Sequence, residues 1–187
     1  MALTAGTYGF VTTSPTTIVT GRNDYRVIGD WEITLNKYTS PADANLVNEI
    51  GFFRYTYWPG GQPWRGVIYA DNGGVPGALV GSMNQDTSDG GANTWERSSG
   101  SIAIQPSTDY WIGYWHETTN DDRIDALWAG ATAKVRYYQT TLPNPLGTPN
   151  LSPTLQFVMY ARYVYIPETP TGLTASDGVW NDQVKVN

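Results

Sequence analysis

Residues 65–81, reading RGVIYADNGGVPGALVG, constrain the fold more than any other segment of this chain. Two apolar runs, residues 67–69 and 78–80, flank an Asp-Asn-Gly-Gly turn and a Pro-Gly pair. Glycine supplies the positive φ of tight turns, and Asp and Asn side chains hydrogen-bond to their own turn backbone. The segment therefore predicts two strands joined by an elaborate turn.

Apolar and polar residues alternate with a period of two in much of the chain. Residues 25–35 alternate in this way, which predicts one half-buried strand. Further segments of this type predict strands at residues 52–58, 65–69, 78–83, 102–104, 110–116, 133–138 and 155–166. The predicted fold class is therefore all-β, an antiparallel β-sandwich of jelly-roll type.

Three segments carry more specific structural expectations. Residues 40–48 predict a short helix, with Ser40 as N-cap and Pro41 at the first position. Residues 155–166 are apolar on both faces, so we expect a central strand or one that reaches a neighbouring subunit. Four prolines in residues 142–153 predict an extended surface loop.

Composition excludes several classes of function. The net charge of −6 disfavours a nucleic-acid partner, because phosphate backbones would repel the chain. The absence of cysteine excludes disulfides and thiolate metal sites. No stretch approaches the roughly 20 apolar residues of a membrane span, so no membrane insertion is expected. The N-terminus lacks the basic start and apolar run of a signal peptide.

Two resemblances suggest the domain organisation. VIYADNGGVPGALVGS, residues 67–82, and STDYWIGYW, residues 107–115, resemble segments of bacterial and phage β-sandwich domains that are lectin-like or carbohydrate-binding. TGLTASDGVWNDQVKVN, residues 171–187, resembles the start of a fibronectin type III domain. We therefore expect a sandwich binding domain over residues 1–166, then a linker and a truncated fibronectin-like start over 167–187. The resemblance implies an extracellular, cell-surface or virion location.

Catalysis has little support in the sequence. The single histidine, His116, follows an aromatic strand, and we expect a strand-end residue near solvent rather than a catalytic base. HExxH, GxSxG and P-loop motifs are absent. Carboxylate pairs can hydrolyse glycosides, but nothing in the sequence marks two that face each other. The candidates are Glu32, Glu49, Glu96, Glu117 and Asp125. We predict a protein that is not an enzyme.

Acidic and amide side chains on turns suggest a weak calcium site. Calcium takes about six to eight oxygen ligands, and carbohydrate-binding sandwiches often hold one such ion. The candidate ligands are Asp71, Asn72, Asp121 and Asp122, with Asn120 beside them. The interpretation we favour is that these residues form turns without a metal, with a structural Ca²⁺ as the alternative.

Tryptophans near predicted loops are the strongest functional signal. Sugar rings stack their C–H faces on aromatic planes, and a few polar groups contact the hydroxyls. We expect Trp31, Trp95 and Trp111 in the core, and Trp64 exposed in the loop WPGGQPW. A second predicted loop, HETTNDDRIDALW, lies between Trp115 and Trp128. The predicted ligand-binding residues are Trp58, Gln62, Trp64, Arg65, Trp115, Asn120 and Trp128.

Two functional hypotheses follow from these patterns. The first is a non-catalytic carbohydrate-binding module for a polysaccharide or surface glycan, in which Trp64→Ala abolishes binding and leaves the melting temperature almost unchanged. The second is a structural or adhesion module of a phage particle or bacterial surface, acting through protein–protein contacts as a homo-oligomer. Tyr137 and Tyr138, beside Lys134 and Arg136, fit a sheet-face sugar site or a subunit interface equally well.

Overall fold

A computed structural model describes residues 8–16, 31–54, 61–118 and 133–167, and the backbone of residues 24–28 and 122–127. These residues form strands and turns without a helix, so none of them lies in a helix that could span a membrane. The strands are β1 (Gly9–Val11), β2 (Asp24–Ile28), β3 (Ile33–Thr39), β4 (Leu46–Arg54), β5 (Pro63–Asp71), β6 (Pro76–Ser82), β7 (Asp86–Thr87), β8 (Thr94–Ala103), β9 (Asp109–His116), β10 (Asp122–Leu127), β11 (Lys134–Arg136), β12 (Gln156–Phe157) and β13 (Met159–Val164).

The strands form two sheets. The first sheet has the order β1-β13-β4-β10-β12, with β8 also paired to β4 and β2 also paired to β10. The second sheet has the order β11-β3-β9-β5-β6, with β7 also paired to β5. All of these pairings are antiparallel except that of β1 with β13. The prediction of an all-β sandwich is confirmed, while its jelly-roll type stays a prediction.

Strand β9 shows how the second sheet uses its two faces. Tyr114 stacks on Phe52 of the first sheet with ring centroids 4.5 Å apart, and Ile112 packs in a cluster that contains Ile50. Because side chains alternate along a strand, Trp111 and Trp115 point to the opposite, outer face. Both tryptophans are nevertheless buried.

Residues 137–151, which we call the strap, cover this outer face. Leu146 is fully buried in one cluster with Trp111 and Trp115. The Tyr69 hydroxyl donates to the Pro143 carbonyl at 2.9 Å, and the Leu146 amide donates to the Gly77 carbonyl at 3.0 Å. The predicted proline-rich surface loop is therefore present, but it also seals an aromatic sheet face.

The single strand predicted over residues 25–35 is wrong. The chain forms β2 in the first sheet and β3 in the second, so it crosses between sheets within this segment. Trp31 has φ of 49°, a left-handed conformation that a continuous strand excludes. Its amide donates to the Thr118 carbonyl at 2.9 Å instead of joining a strand ladder.

The predicted helix over residues 40–48 is also wrong. The Ala44 amide donates to the Pro41 carbonyl at 3.2 Å, which closes one turn, and β4 begins at Leu46. The Ser40 hydroxyl bonds the Gln105 carbonyl and the Thr108 amide instead of capping a helix. Leu46 instead pairs with Ala103 on one side and Val164 on the other. These pairings provide hydrogen-bond partners for backbone groups that would otherwise bond within a helix.

The apolar segment at residues 155–166 is a central strand only in part, because it forms two strands, β12 beside β10 and β13 within the sheet, and Tyr165 and Ile166 are exposed. Strand β13 lies between β1 and β4, and Met159 to Ala161 are buried. A short interruption at Val158 separates it from β12, and the Phe53 amide donates to the Val158 carbonyl there at 2.9 Å. The predicted boundary after residue 166 stays a prediction, and the predicted fibronectin-like start lies outside the described residues, which end at Pro167.

Candidate functional site

Trp64 is a core residue, which makes its predicted exposure wrong. It lies within β5 rather than in a loop, and its side chain is 0% exposed. Its ring meets Phe52 edge-on, with centroids 4.9 Å apart. The indole is therefore packed between the two sheets, where it has no face left for a ligand.

His116 is likewise buried, at the end of β9. The expectation of a strand-end position is confirmed, but the expected closeness to solvent is wrong, since His116 is 1% exposed. The long loop predicted after Trp115 is wrong in part as well, because residues 122–127 form β10. Cross-strand neighbours explain the burial of His116, which pairs with Trp64 in the sheet.

Trp115 and Arg65, both predicted site residues, are neighbours on the outer face. The Arg65 guanidinium carbon lies 5.4 Å from the centroid of the Trp115 ring. Arg65 also donates two hydrogen bonds to Glu117, at 2.5 and 3.1 Å. This bidentate pair fixes the guanidinium over the indole. Trp115 is therefore covered, and the partly exposed Arg65 is the group that solvent reaches.

Gln62 lies at the same end of the sheet, just before β5. Its side-chain oxygen accepts a hydrogen bond from the Thr118 hydroxyl at 3.0 Å. The Thr118 carbonyl accepts from the Trp31 amide, and the ring of Trp31 lies 6.4 Å from that of Trp115. Polar and aromatic groups from three chain segments thus meet here.

Tyr138 is the most exposed large apolar residue among those described, at 74%. Its φ is 57°, so both Tyr138 and Trp31 are bulky residues held in the left-handed region. The next residue, Gln139, donates its amide to the Trp31 carbonyl at 3.0 Å and accepts from the Trp115 indole at 2.9 Å. Tertiary hydrogen bonds thus hold an exposed ring in an unfavourable backbone conformation.

These groups form one surface, which we call the Trp31–Tyr138 corner. It contains Trp31, Gln62, Arg65, Trp115, Glu117, Thr118, Tyr138 and Gln139. Gln62, Arg65 and Trp115 are predicted site residues, whereas Tyr138 was predicted only within a separate aromatic and basic patch. Glu117 was not predicted as the partner of Arg65, because ion pairing across 52 residues leaves no local signal.

The carboxylates considered for catalysis each have a protein partner where the structure describes them. Glu49 accepts from the hydroxyls of Ser14 and Tyr160, and Glu32 accepts from Thr34. Glu96 forms a buried ion pair with Arg54 at 2.5 Å. Burial raises the pKa of Glu96 above its usual range, and the Arg54 charge opposes that rise. Each described carboxylate of this set is thus engaged within the protein, and the Asp125 side chain lies outside the described residues.

Asp71, a predicted calcium ligand, is engaged within the turn. Its carboxylate accepts from the Trp111 indole at 2.7 Å, from Lys37 at 3.0 Å and from the Gly74 amide. Asn72 is exposed. Among the described residues, no three His, Cys, Asp or Glu side chains converge on a metal position. A structural Ca²⁺ stays an untested alternative, and these contacts support the turn interpretation.

Several predicted site residues fall outside the described structure. They are Trp58, Asn120, Asp121 and Trp128, together with the side chain of Asp122. Their proposed roles stay predictions. No protein-family model matches the chain, and neither a curated protein nor a solved structure is significantly similar to it. The resemblance to lectin-like sandwich domains therefore also stays a prediction.

Proposed function

We propose that this protein is a non-catalytic carbohydrate-binding module and that the Trp31–Tyr138 corner contacts the glycan. The observation that carries the proposal is the Tyr138 ring, exposed and held at a left-handed φ by contacts to Trp31 and Trp115 through Gln139. Backbone conformations of this kind are concentrated at binding sites, where the surrounding structure maintains them. An exposed aromatic plane is the group that stacks on a sugar ring.

The polar groups of the corner suit hydroxyl recognition. Arg65 and Glu117 form a fixed, partly exposed pair, and Gln62 is held by Thr118. Arginine and glutamine supply donors, while the amide oxygen of Gln62 and the carboxylate of Glu117 are acceptors. Because these side chains are already ordered, binding would cost little additional side-chain entropy.

The carbohydrate hypothesis now assigns different roles to the aromatic residues. Trp64 belongs to the core. Trp115 packs against the Arg65 guanidinium, so its ring does not stack on a sugar. Tyr138 takes the stacking role in their place. Trp58, Asn120 and Trp128 keep the binding role inferred from sequence. An extracellular, cell-surface or virion location fits such a module.

Pull-down with insoluble polysaccharides and a glycan array test this proposal. Tyr138→Ala is expected to weaken binding about tenfold or more, equivalent to about 1.4 kcal/mol, with little change in melting temperature. Tyr138→Phe keeps the ring and is expected to retain most of the binding. Tyr165→Ala is the matched control, because Tyr165 is also exposed, at 60%, and follows β13.

Equal binding by Tyr138→Ala and the wild type would contradict this site, and the absence of any retained polysaccharide would contradict the function. Exposed Tyr165 and Ile166 favour a second candidate, a structural or adhesion module that binds other proteins. In that case light scattering shows a homo-oligomer, and no glycan is retained.

A further inference from the structure

A cleft at the other end of β5 is not part of the Trp31–Tyr138 corner, although it shares Asn72 with the predicted calcium site. It has a volume of about 320 Å³, near the lower limit for small-molecule sites. One wall is the turn after β5, and the other is the strap. The walls include Asn72, Val75 and Pro76 on the turn side and Pro145, Thr148 and Pro149 on the strap side.

Backbone hydrogen bonds hold the two walls together. The Leu146 amide donates to the Gly77 carbonyl at 3.0 Å, and the Leu79 amide donates to the Asn144 side-chain oxygen at 2.9 Å. Within the turn, the Asn72 amide donates to the Val75 carbonyl at 2.8 Å. Contacts within the fold therefore form the cleft.

Glycines with positive φ shape both walls of the cleft. Gly73 and Gly74 have φ of 64° and 90° in the turn, and Gly147 has φ of 74° in the strap. A β-carbon at Gly77 would make a tight contact, 3.0 Å, with the β-carbon of Asn72, and one at Gly147 would displace the end of the Arg136 side chain.

The lining chemistry indicates the class of ligand. None of the lining residues is charged, and three proline rings with Val75 form an apolar surface. The side-chain amide of Asn72 and the hydroxyl of Thr148 make no hydrogen bond to another described residue. Apolar walls with a few placed polar groups are typical of small-molecule sites.

We propose that this cleft binds a single neutral sugar residue, with its C–H face on the proline and valine walls and its hydroxyls bonded to Asn72 and Thr148. The identification of the ligand as a sugar rests on the proposed carbohydrate-binding function. The geometry and the lining of the cleft are independent of that function. Along β5, Arg65 of the corner and Asn72 of the cleft are seven residues apart, roughly 23 Å. The strap wall lies closer to the corner, since the Tyr137 amide donates to the side-chain oxygen of Asn150, the residue after Pro149, at 2.8 Å. Variants at Asn72 and Tyr138, on opposite sides of this contact, therefore distinguish the two sites.

Amide-detected NMR titration with methyl glycosides of glucose, galactose, mannose and N-acetylglucosamine, each up to about 50 mM, tests the cleft. The expected result is millimolar binding of at least one glycoside, with the largest shifts at Val75, Gly77 and Gly147. Asn72→Ala and Thr148→Phe are expected to weaken that binding about fivefold or more. Asn84→Ala, at an exposed asparagine beyond the far end of β6, is the matched control.

No shift at the three cleft amides with any of the glycosides overturns the cleft, as does equal binding of the acidic sugar glucuronate. Shifts confined to Tyr138 and Gln139 overturn the cleft but leave the proposed function standing. Shifts in the cleft, combined with polysaccharide retention that is absent or unaffected by Tyr138→Ala, support the cleft and count against the corner.

Discussion

Tryptophan residues that look alike in sequence occupy different environments in this protein. Trp64 follows glycine and proline, as a loop residue would, yet Phe52 and the first sheet enclose it. Trp115 lies on the outer face and is covered by Arg65. Tyr138, in a segment with no distinct motif, is the most exposed ring among the described residues. Neighbours that are distant in sequence therefore decide which aromatic residue can meet a ligand.

Trp64→Ala is expected to destabilise the protein rather than remove a binding platform. Loss of a fully buried large aromatic side chain leaves a cavity and costs about 3–5 kcal/mol of unfolding free energy. Urea unfolding followed by circular dichroism measures this change. Tyr138→Ala provides the comparison, with an expected loss below about 1 kcal/mol. A Trp64→Ala protein as stable as the wild type would show that Trp64 is not part of the core.

At the scale of elements, ion pairs of Lys37 connect the end of β5, where the β5–β6 turn begins, to β3 and β9. Lys37 of β3 contacts Asp71 at 3.0 Å and Asp109 of β9 at 2.8 Å. Hydrogen bonds to Asp109 and Asp71 raise the pKa of Lys37, and the bond from Lys37 lowers that of Asp109. Burial raises the pKa of Asp71, but hydrogen bonds from Lys37, Trp111 and Gly74 outweigh it, so that pKa is lowered.

Lys37→Met is expected to reduce the unfolding free energy by about 1 kcal/mol near neutral pH. The pKa values of Asp71 and Asp109 are lower in the folded protein than their usual value of 3.8. Their contribution to stability is therefore present above pH 3.8 and is lost as the pH falls through the lowered pKa values. The difference between the variant and the wild type should therefore shrink between about pH 4 and pH 2. Lys37 also loses its contribution above its usual pKa of 10.5.

Urea unfolding at a series of pH values measures the effect of Lys37→Met. Lys134→Met is the control for the loss of one positive charge, since Lys134 bonds the Ser152 hydroxyl rather than a described carboxylate. A constant difference between Lys37→Met and the wild type from pH 7 to pH 2 would contradict this account of the ion pairs.

At the scale of the whole molecule, the strap turns the second sheet into a buried layer. Without it, Trp111, Trp115 and Tyr69 would present a large aromatic face to solvent, and such faces favour aggregation. Leu146 is the apolar side chain of the strap that is completely enclosed. The sandwich therefore has a packed layer outside the second sheet in addition to the core between the two sheets.

Leu146→Ala is expected to lower the unfolding free energy of the whole domain by about 2–4 kcal/mol, with an unchanged denaturant slope. The same transition should appear in tryptophan fluorescence and in circular dichroism, because the strap and the sandwich form one packed unit. Leu151→Ala, at a strap residue that is 44% exposed, is the control with little expected change. Separate transitions for the two probes would indicate that the strap unfolds independently.

The strands and turns around β5, β6 and β9 were predictable from sequence because their signals are local, whereas β10 was predicted as a loop and most of β8 was not predicted. The segments that form β5, β6 and β9 were placed to within a few residues, and Gly73 and Gly74 have the positive φ that the turn motif predicts. The candidate site was predictable only in part. Gln62 and Arg65 do lie together, but the partner Glu117 and the left-handed Tyr138 depend on contacts that no local pattern encodes.

The amino-acid sequence alone determined the all-β class, the turn positions and the central place of the segment that forms β13, since β-propensity, alternation and glycine conformations act over a few residues. Tertiary structure decided which faces are covered. It buried Trp64 and His116, converted the predicted helix after Ser40 into the start of β4, and set the strap over the outer face. The physical reason is that burial and strand pairing depend on partners far away along the chain.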